Sequence, residues 1–361
     1  MKRNIVVIGS GLGGLVSSYL LTREGDHVTI LERDKRPGGC LQSFCRDGIN
    51  FDTGFHFVGG MSEGGPLYRF FRDLDLFGLP WQELDGQEIW CGDKCYSIPT
   101  GKERWLRYMT SEFPHQRANL EQFVKTCEEI AHCPFDKTLP FWEINAWDWL
   151  CRTIDDPRLR DVLSGSSLII QLDRETLPLF AFGEIVYSYI FSSHRLAGGG
   201  KPLIDHFLNY ILKTGEIHCS STVTQILEQD GHVSGVRTED GTFYPADIVL
   251  SSIHPALTMG LLADDSSIRK VYRRRLTKLN NSMGCFTANL KLKKGMVEMK
   301  DRPVYVHRDG SDFWKFDTDT INHELIHFYP GQDALDFITP LSWNRVSRWQ
   351  NTSVGRRGSD Y

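Results

Sequence analysis

The chain has 361 residues, of which 24% are charged and 40% hydrophobic, and it carries a formal net charge of −5. That balance excludes wholesale disorder, and a net acidic charge argues against a nucleic-acid binder. The length exceeds one comfortable core and predicts two domains. Nine cysteines, at positions 40, 45, 91, 95, 127, 133, 151, 219 and 285, form no CxxC pair. An odd count without a convincing secretory signal predicts reduced thiols in the cytoplasm. Cys91 and Cys95 flank GDK and read as the two ends of a tight turn, with a redox pair as the alternative.

The first element is the run Ile5, Val6, Val7, Ile8, which has no polar residue and suits a strand buried on both faces of a parallel sheet. The stretch GSGLGG from Gly9 to Gly14 follows, then a helical stripe of Leu15, Val16, Tyr19 and Leu20 that stops near Gly25. Val28, Ile30 and Leu31 supply a second strand, closed by Glu32. A strand, glycine turn, helix and strand in this order fit a pyrophosphate site. Gly9 allows the turn, Gly11 lets backbone approach phosphate, and Gly14 lets helix and strand pack closely. Amides at the helix start, from Leu12 and Gly13 on, face the anion. An acidic residue about twenty positions past the turn accepts hydrogen bonds from ribose hydroxyls and disfavours NADP. A signal peptide opened by Lys2 and Arg3 is the competing reading. Gly9 to Gly14 interrupt its apolar core, and Arg23, Glu24 and Asp26 occupy its cleavage region.

From Pro66 to about residue 195 the pattern is mainly helical. Leu67, Phe70, Phe71, Leu74 and Phe77 recur at spacings close to a helical face between Gly65 and Trp81. The stretch from Thr176 to Phe191 holds five aromatics but is too short to span a bilayer and contains Glu184. Both read as ordinary core. Residues 198 to 255 return to α/β, with a helix from about Pro202 to Leu212, strands in SSTVTQILEQ and GHVSGVRTE, and the apolar run ADIVLSS. The basic cluster of Lys270, Arg273, Arg274, Arg275 and Lys278 reads as a solvated helix face, with anionic lipid as the alternative. NHELIHFYPG contains HExxH, the zinc-protease pattern of His323, Glu324 and His327. Pro330 and Gly331 would end a helix at once, and the alternation Ile321, His323, Leu325, His327 fits a strand, in which the histidines cannot share one ion. No metal site is expected.

The segment after Glu32 is specific. ERDKRPGGCLQS places Arg33, a second glycine pair Gly38 and Gly39, and Ser43 behind the acidic strand end, and INFDTGFHFVGG follows with Asp52, Gly54 and His56. Together with LAGGGKPLIDHFLNYILKTGEIHCSSTVTQI, in which Val223 sits, and DGTFYPADIVLSSIHP, this resembles the extended FAD fingerprint of the flavin amine oxidase and phytoene desaturase superfamily. The branch it resembles holds carotenoid isomerases, phytoene desaturases and retinol saturases. The resemblance implies an α/β fold in which a Rossmann-type FAD-binding domain, residues 1–65 and 196–256, alternates with a discontinuous α+β substrate domain, residues 66–195 and 257–361. It implies FAD as cofactor, bound by Gly9, Gly11, Leu12, Gly13, Gly14, Glu32, Arg33, Gly38, Gly39, Ser43, Gly54 and Val223. His56, in the segment that passes the flavin, is the candidate catalytic residue.

The implied activity is desaturation, saturation or isomerisation of a long apolar polyene or isoprenoid through hydride exchange with flavin N5. The apolar small-molecule substrate leaves peripheral membrane contact open for a cytoplasmic chain, with the two aromatic stretches as tunnel wall or membrane-dipping face; the oligomeric state is not legible. A flavin amine oxidase is the alternative enzyme. Family members continue beyond the point that VGRRGSDY matches. The resemblance therefore implies a C-terminal part of the cofactor domain outside this chain, an exposed apolar edge that favours pairing, and a catalytically inactive, truncated dinucleotide-fold scaffold as the further alternative.

Overall fold

The structure, a computed structural model, describes residues 2–166, 168–279, 281–315, 320–341 and 347; the segment VGRRGSDY lies outside the described residues. The chain divides into two compact units. One comprises Met1–His56, Leu74–Pro80 and Leu196–Asn281, and the other Phe57–Asp73, Trp81–Arg195 and a segment from Ser282 onward.

In the first unit the apolar run forms strand β1 (Asn4–Ile8), followed by helix α1 (Leu12–Arg23) and strand β2 (His27–Leu31). β1 is central in a four-stranded parallel sheet, between β2 and the strand Ile248–Ser251, with Glu216–His218 on the far side of β2. Val7 is fully buried and Ile5, Val6 and Ile8 nearly so, as a run without polar residues requires when both sheet faces are covered. α1 packs on the helix Lys201–Ile211, where the Tyr19 ring lies 5.4 Å from Phe207 and 4.9 Å from Tyr210. The hairpin β3 (Ser43–Arg46) and β4 (Ile49–Asp52) comes next in the chain.

A three-stranded antiparallel sheet, Val223–Gln229, His232–Thr238 and Phe243–Pro245, completes the unit. Its Val223, Ile226 and Val236 share an apolar cluster with Val6, Ile8 and Leu31, and Met259 and Leu262 join them. The helices Pro255–Gly260 and Lys270–Thr277 thus belong to this unit, which runs past residue 256. Arg273 is no free cation of the basic cluster: its guanidinium donates to the carbonyls of Met259, Leu262 and Ala263 and closes the end of the preceding helix.

The second unit is built on a six-stranded mixed sheet in the order Gly284–Lys291, Ala334–Leu341, His323–Tyr329, Val304–His307, Gln87–Cys91, Lys94–Ile98. Helices cover one face. Phe123, Leu120 and Met109 meet Phe182 and Tyr187 of the helix Leu179–Phe191, and Tyr305, Leu325 and Ile338 of the sheet, in one core. The aromatic stretch after Thr176 is therefore core. Two expectations are corrected here. The stripe between Gly65 and Trp81 forms only the short helix Tyr68–Asp73, with Phe71 buried and Phe70 and Phe77 exposed; the backbone turns left-handed at Asp75 and ends the repeat. Within the segment read as mainly helical, Gln87–Cys91 and Lys94–Ile98 pair as a hairpin, and Cys91 and Cys95 stand on either side of its Gly92–Asp93 turn.

HExxH lies on the strand His323–Tyr329. Four residues along a strand separate the two histidines by about 13 Å, and Glu324 points to the opposite face. His323 serves another purpose. His307 Nε2 donates to the Gly165 carbonyl at 2.7 Å, which leaves Nδ1 to accept from His323 Nδ1 at 2.8 Å, and the Phe313 ring covers His307 at 4.1 Å. Both histidines are almost fully buried, and burial pushes His307 down to about 3 and His323 below its ordinary value.

A depressed histidine pKa stabilises the fold fully above the unfolded value near 6.5 and loses that contribution as pH falls toward the folded one. Urea unfolding at pH 7 and pH 5 is expected to show a drop in midpoint for the wild type, and a clearly smaller drop for His307→Leu/His323→Leu. An equal drop in both would place the acid lability elsewhere.

Candidate dinucleotide-binding site

The site is built where β1 ends. Gly9 adopts φ +92°, which only glycine takes without strain. A Cβ on Gly14 would stand 2.1 Å from the Gly9 carbonyl oxygen and 2.7 Å from Ser252 Oγ, so the helix can start here only with glycine at that position. Ser252 Oγ donates to the carbonyls of Ile8 and Gly9 and fixes the strand end. Gly11 and Gly13 differ: a Cβ on either meets nothing within 4 Å. Gly11 is the N-cap of α1 and no side chain caps the helix start, so the first amides are left to a ligand or water.

Glu32 ties the turn to the end of β2. Its Oε2 accepts from the Ser10 amide at 2.9 Å and from Ser10 Oγ, and its Oε1 accepts from the Asp34 amide at 2.8 Å. The second glycine pair folds back on the first turn, with the Gly38 amide 3.1 Å from both Ser10 O and Ser10 Oγ. A Cβ on Gly39 would lie 3.0 Å from the Gly11 Cα. The structure therefore gathers Gly9, Gly11, Leu12, Gly13, Gly14, Glu32, Gly38 and Gly39 around Ser10.

Of these Leu12 is half exposed at the helix start. The remaining candidates lie further out, and Arg33 is exposed, 3.6 Å from Asp34. Ser43 Oγ donates to Asp52 at 3.0 Å, and Gly199 packs so tightly on both that a Cβ would sit 2.0 Å from Asp52 Oδ1. Gly54 lies against Cys40. Val223 opens its strand just beyond Ser221, whose amide donates to the Glu32 carbonyl at 2.8 Å. Beside it Ser220, Ser221, Thr222, Thr238, Glu239 and Asp240 line a recess of about 300 Å³. His56 follows β4, and burial pushes it down to about 4, so it is a neutral imidazole at physiological pH. Ser10, Ser252 and Gly199 were not among the sequence candidates. Ser10 stands inside the glycine pattern, where an x position carries no signal.

The second unit holds a polar cluster with no sequence signature. Asp336 is fully buried, accepting from Asn289 Nδ2 at 2.6 Å and from the Tyr329 hydroxyl at 2.5 Å. It stands opposite Asn289 on one neighbouring strand and His327 on the other, and burial raises its carboxyl.

Residues 7–74 match the family model of the NAD(P)-binding Rossmann-like domain. The chain is 33% identical to an all-trans-retinol 13,14-reductase of Rattus norvegicus over its full length and 69% of that protein. It is 25% identical to prolycopene isomerase 2, chloroplastic, of an Oncidium hybrid cultivar, over 77% of the chain and 54% of that protein. Among solved structures, an oxidoreductase from Methanosarcina mazei superposes with a TM-score of 0.70 at 20% identity, covering 96% of this chain and 81% of that one, which shows the fold. With a glycine cradle at the head of a parallel sheet and a relative this similar over the whole of this chain, the chain belongs to the carotenoid and retinoid FAD oxidoreductase family that includes the all-trans-retinol 13,14-reductases.

Proposed function

We propose that the chain is an FAD-dependent oxidoreductase acting on a long apolar polyene of carotenoid or retinoid type, by desaturation, saturation or isomerisation. One observation carries the cofactor reading. Gly11 and Gly13 face open space at an uncapped helix start, while the neighbouring Gly14 tolerates no side chain. That pattern fits a pyrophosphate laid on backbone amides. The relatives named for retinol and prolycopene supply the substrate class.

In this reading Leu12 and Gly13 amides hold the phosphates. Glu32, whose two oxygens have about four acceptor sites, keeps lone pairs for ribose hydroxyls beyond its three internal donors. Arg33, Ser43, Gly54 and Val223 line the rest of the path, with the recess beside Val223 at the adenosine end. FAD, when bound, supplies hydride exchange at N5, and the protein supplies position and a dry surround. Neutral His56 would offer a hydrogen bond without a charge. A polyene partitions into lipid, so peripheral attachment to a membrane is part of this reading.

The test is the visible spectrum of the purified chain with its released flavin quantified, followed by anaerobic reduction and reoxidation with retinoid and carotenoid polyenes. Stoichiometric FAD and polyene-dependent turnover are expected; a folded, colourless protein that takes up no FAD would sink the reading and favour the inactive scaffold.

Two variants separate folding from binding. Gly11→Ala is expected to keep the melting temperature of the flavin-free wild type yet lose most of its FAD, because the added methyl enters only the ligand's space. Gly14→Ala is expected to fold poorly with or without FAD. Equal behaviour of the two would remove the distinction between open and closed glycines.

Glu32→Ala is expected to lose FAD and also about 1–3 kcal/mol of stability measured in excess of the flavin effect, since buried donors lose their acceptor. Glu32→Gln restores one acceptor and should recover part of that stability, which urea titration of the flavin-free proteins would read.

A further inference from the structure

We infer that residues 134–144 form an apolar knob by which the chain inserts into the surface of a zwitterionic lipid bilayer. The inference deepens the proposed membrane attachment and rests on it. Within this stretch Phe135 is 86% exposed, Leu139 66%, Trp142 48% and Ile144 37%. Single exposed apolar side chains are ordinary, whereas four large ones within ten residues mark a surface made for something other than water.

The backbone that presents them is fixed. The turn Phe135–Lys137 and the short helix Leu139–Trp142 are joined by Thr138, which is buried. Its hydroxyl donates to the Phe135 carbonyl at 2.9 Å and accepts from the Trp142 indole at 3.3 Å, while its carbonyl accepts from the Phe141 amide at 2.9 Å. Trp142 stacks on Phe180 at 4.8 Å, and the Ile144 carbonyl accepts from the Leu179 amide at 2.8 Å. The side chains point outward from a frame held by hydrogen bonds, so little order remains to be imposed on contact.

The chemistry selects the occupant. A stable dimer needs roughly 20–30 residues on each side, and this knob offers four apolar side chains. Tryptophan and phenylalanine with aliphatic neighbours are the residues that settle at the headgroup boundary. The charges on the stretch, Asp136, Lys137 and Glu143, provide no excess of cations, so attraction to anionic lipid is not what the knob is built for. The exposed cations of the helix Lys270–Thr277 belong to the other unit and supply the control.

The test is flotation of the purified chain with vesicles of phosphatidylcholine alone and of phosphatidylcholine with phosphatidylserine. The wild type is expected to float with both. Phe135→Ser/Leu139→Ser, which leaves Trp142 in its stack, should weaken binding to the neutral vesicles more than about tenfold at unchanged melting temperature. Arg274→Glu/Arg275→Glu should leave neutral-vesicle binding as it was. A wild type that stays at the bottom of the gradient with neutral vesicles, or a double variant that floats equally well, overturns the inference. So does a concentration-dependent dimer that the double variant abolishes, because the occupant is then a second copy. Flotation needs no turnover: a chain that floats without taking up FAD keeps the knob and loses the catalytic reading, and one that binds FAD and oxidises or isomerises polyenes without floating does the reverse.

Discussion

The dinucleotide cradle depends on one buried carboxylate. Glu32 is withdrawn from water at the end of β2, and a charge in that position must be matched by donors or it costs several kcal/mol. It is matched by the Ser10 amide, the Ser10 hydroxyl and the Asp34 amide. Those bonds fix how far the turn after β1 stands from the loop after β2. The Ser10 hydroxyl then accepts from Gly38, so the second glycine pair takes its place from the same residue. A side chain whose expected role is to meet a ribose is also the bolt that holds the phosphate turn in shape.

Sterics divide the glycines into two sets, and the division has a functional meaning. Gly14 faces the Gly9 carbonyl, Gly38 faces Ile204, Gly199 faces Asp52, and Gly200 faces the Leu41 carbonyl, each too close for a methyl group. These glycines let protein meet protein. Gly11 and Gly13 face open space, and no packing demand of the chain itself accounts for them. Open glycines occur elsewhere as well, at Gly78 and Gly260 among others; Gly11 and Gly13 differ from them in standing at a helix start whose amides are uncapped, which is the feature the proposed ligand site uses.

The strand, turn, helix and strand of the first unit were legible because every signal there is local: an unbroken apolar run, a glycine turn, a 3.6-residue stripe, an acidic strand end. In the hairpin Gln87–Ile98 the tight turn between Cys91 and Cys95 was legible but the strands were not, since they mix Glu88, Trp90, Lys94 and Ser97 with apolar residues and carry little β-branched character. Between Gly65 and Trp81 the helical spacing was real in the sequence but was cut short by the left-handed turn at Asp75. HExxH was decided by alternation and by Pro330, both local. Asp336 could not have been found, because Asn289 and Tyr329 reach it from other strands through strand pairing, and one sequence without a register cannot display that.

Register itself explains why polar groups are tolerated inside the second unit. His307 and His323 stand directly opposite each other on adjacent strands, as do Asn289 and Asp336. Each pair is satisfied only when the strands align as they do. A slip of one residue would send His323 and Asp336 to the other face of the sheet and strand their partners without hydrogen bonds. The two buried polar pairs therefore select one pairing of a six-stranded sheet in which parallel and antiparallel neighbours meet. That selection, more than any net gain in stability, is what these buried, hydrogen-bonded pairs contribute here.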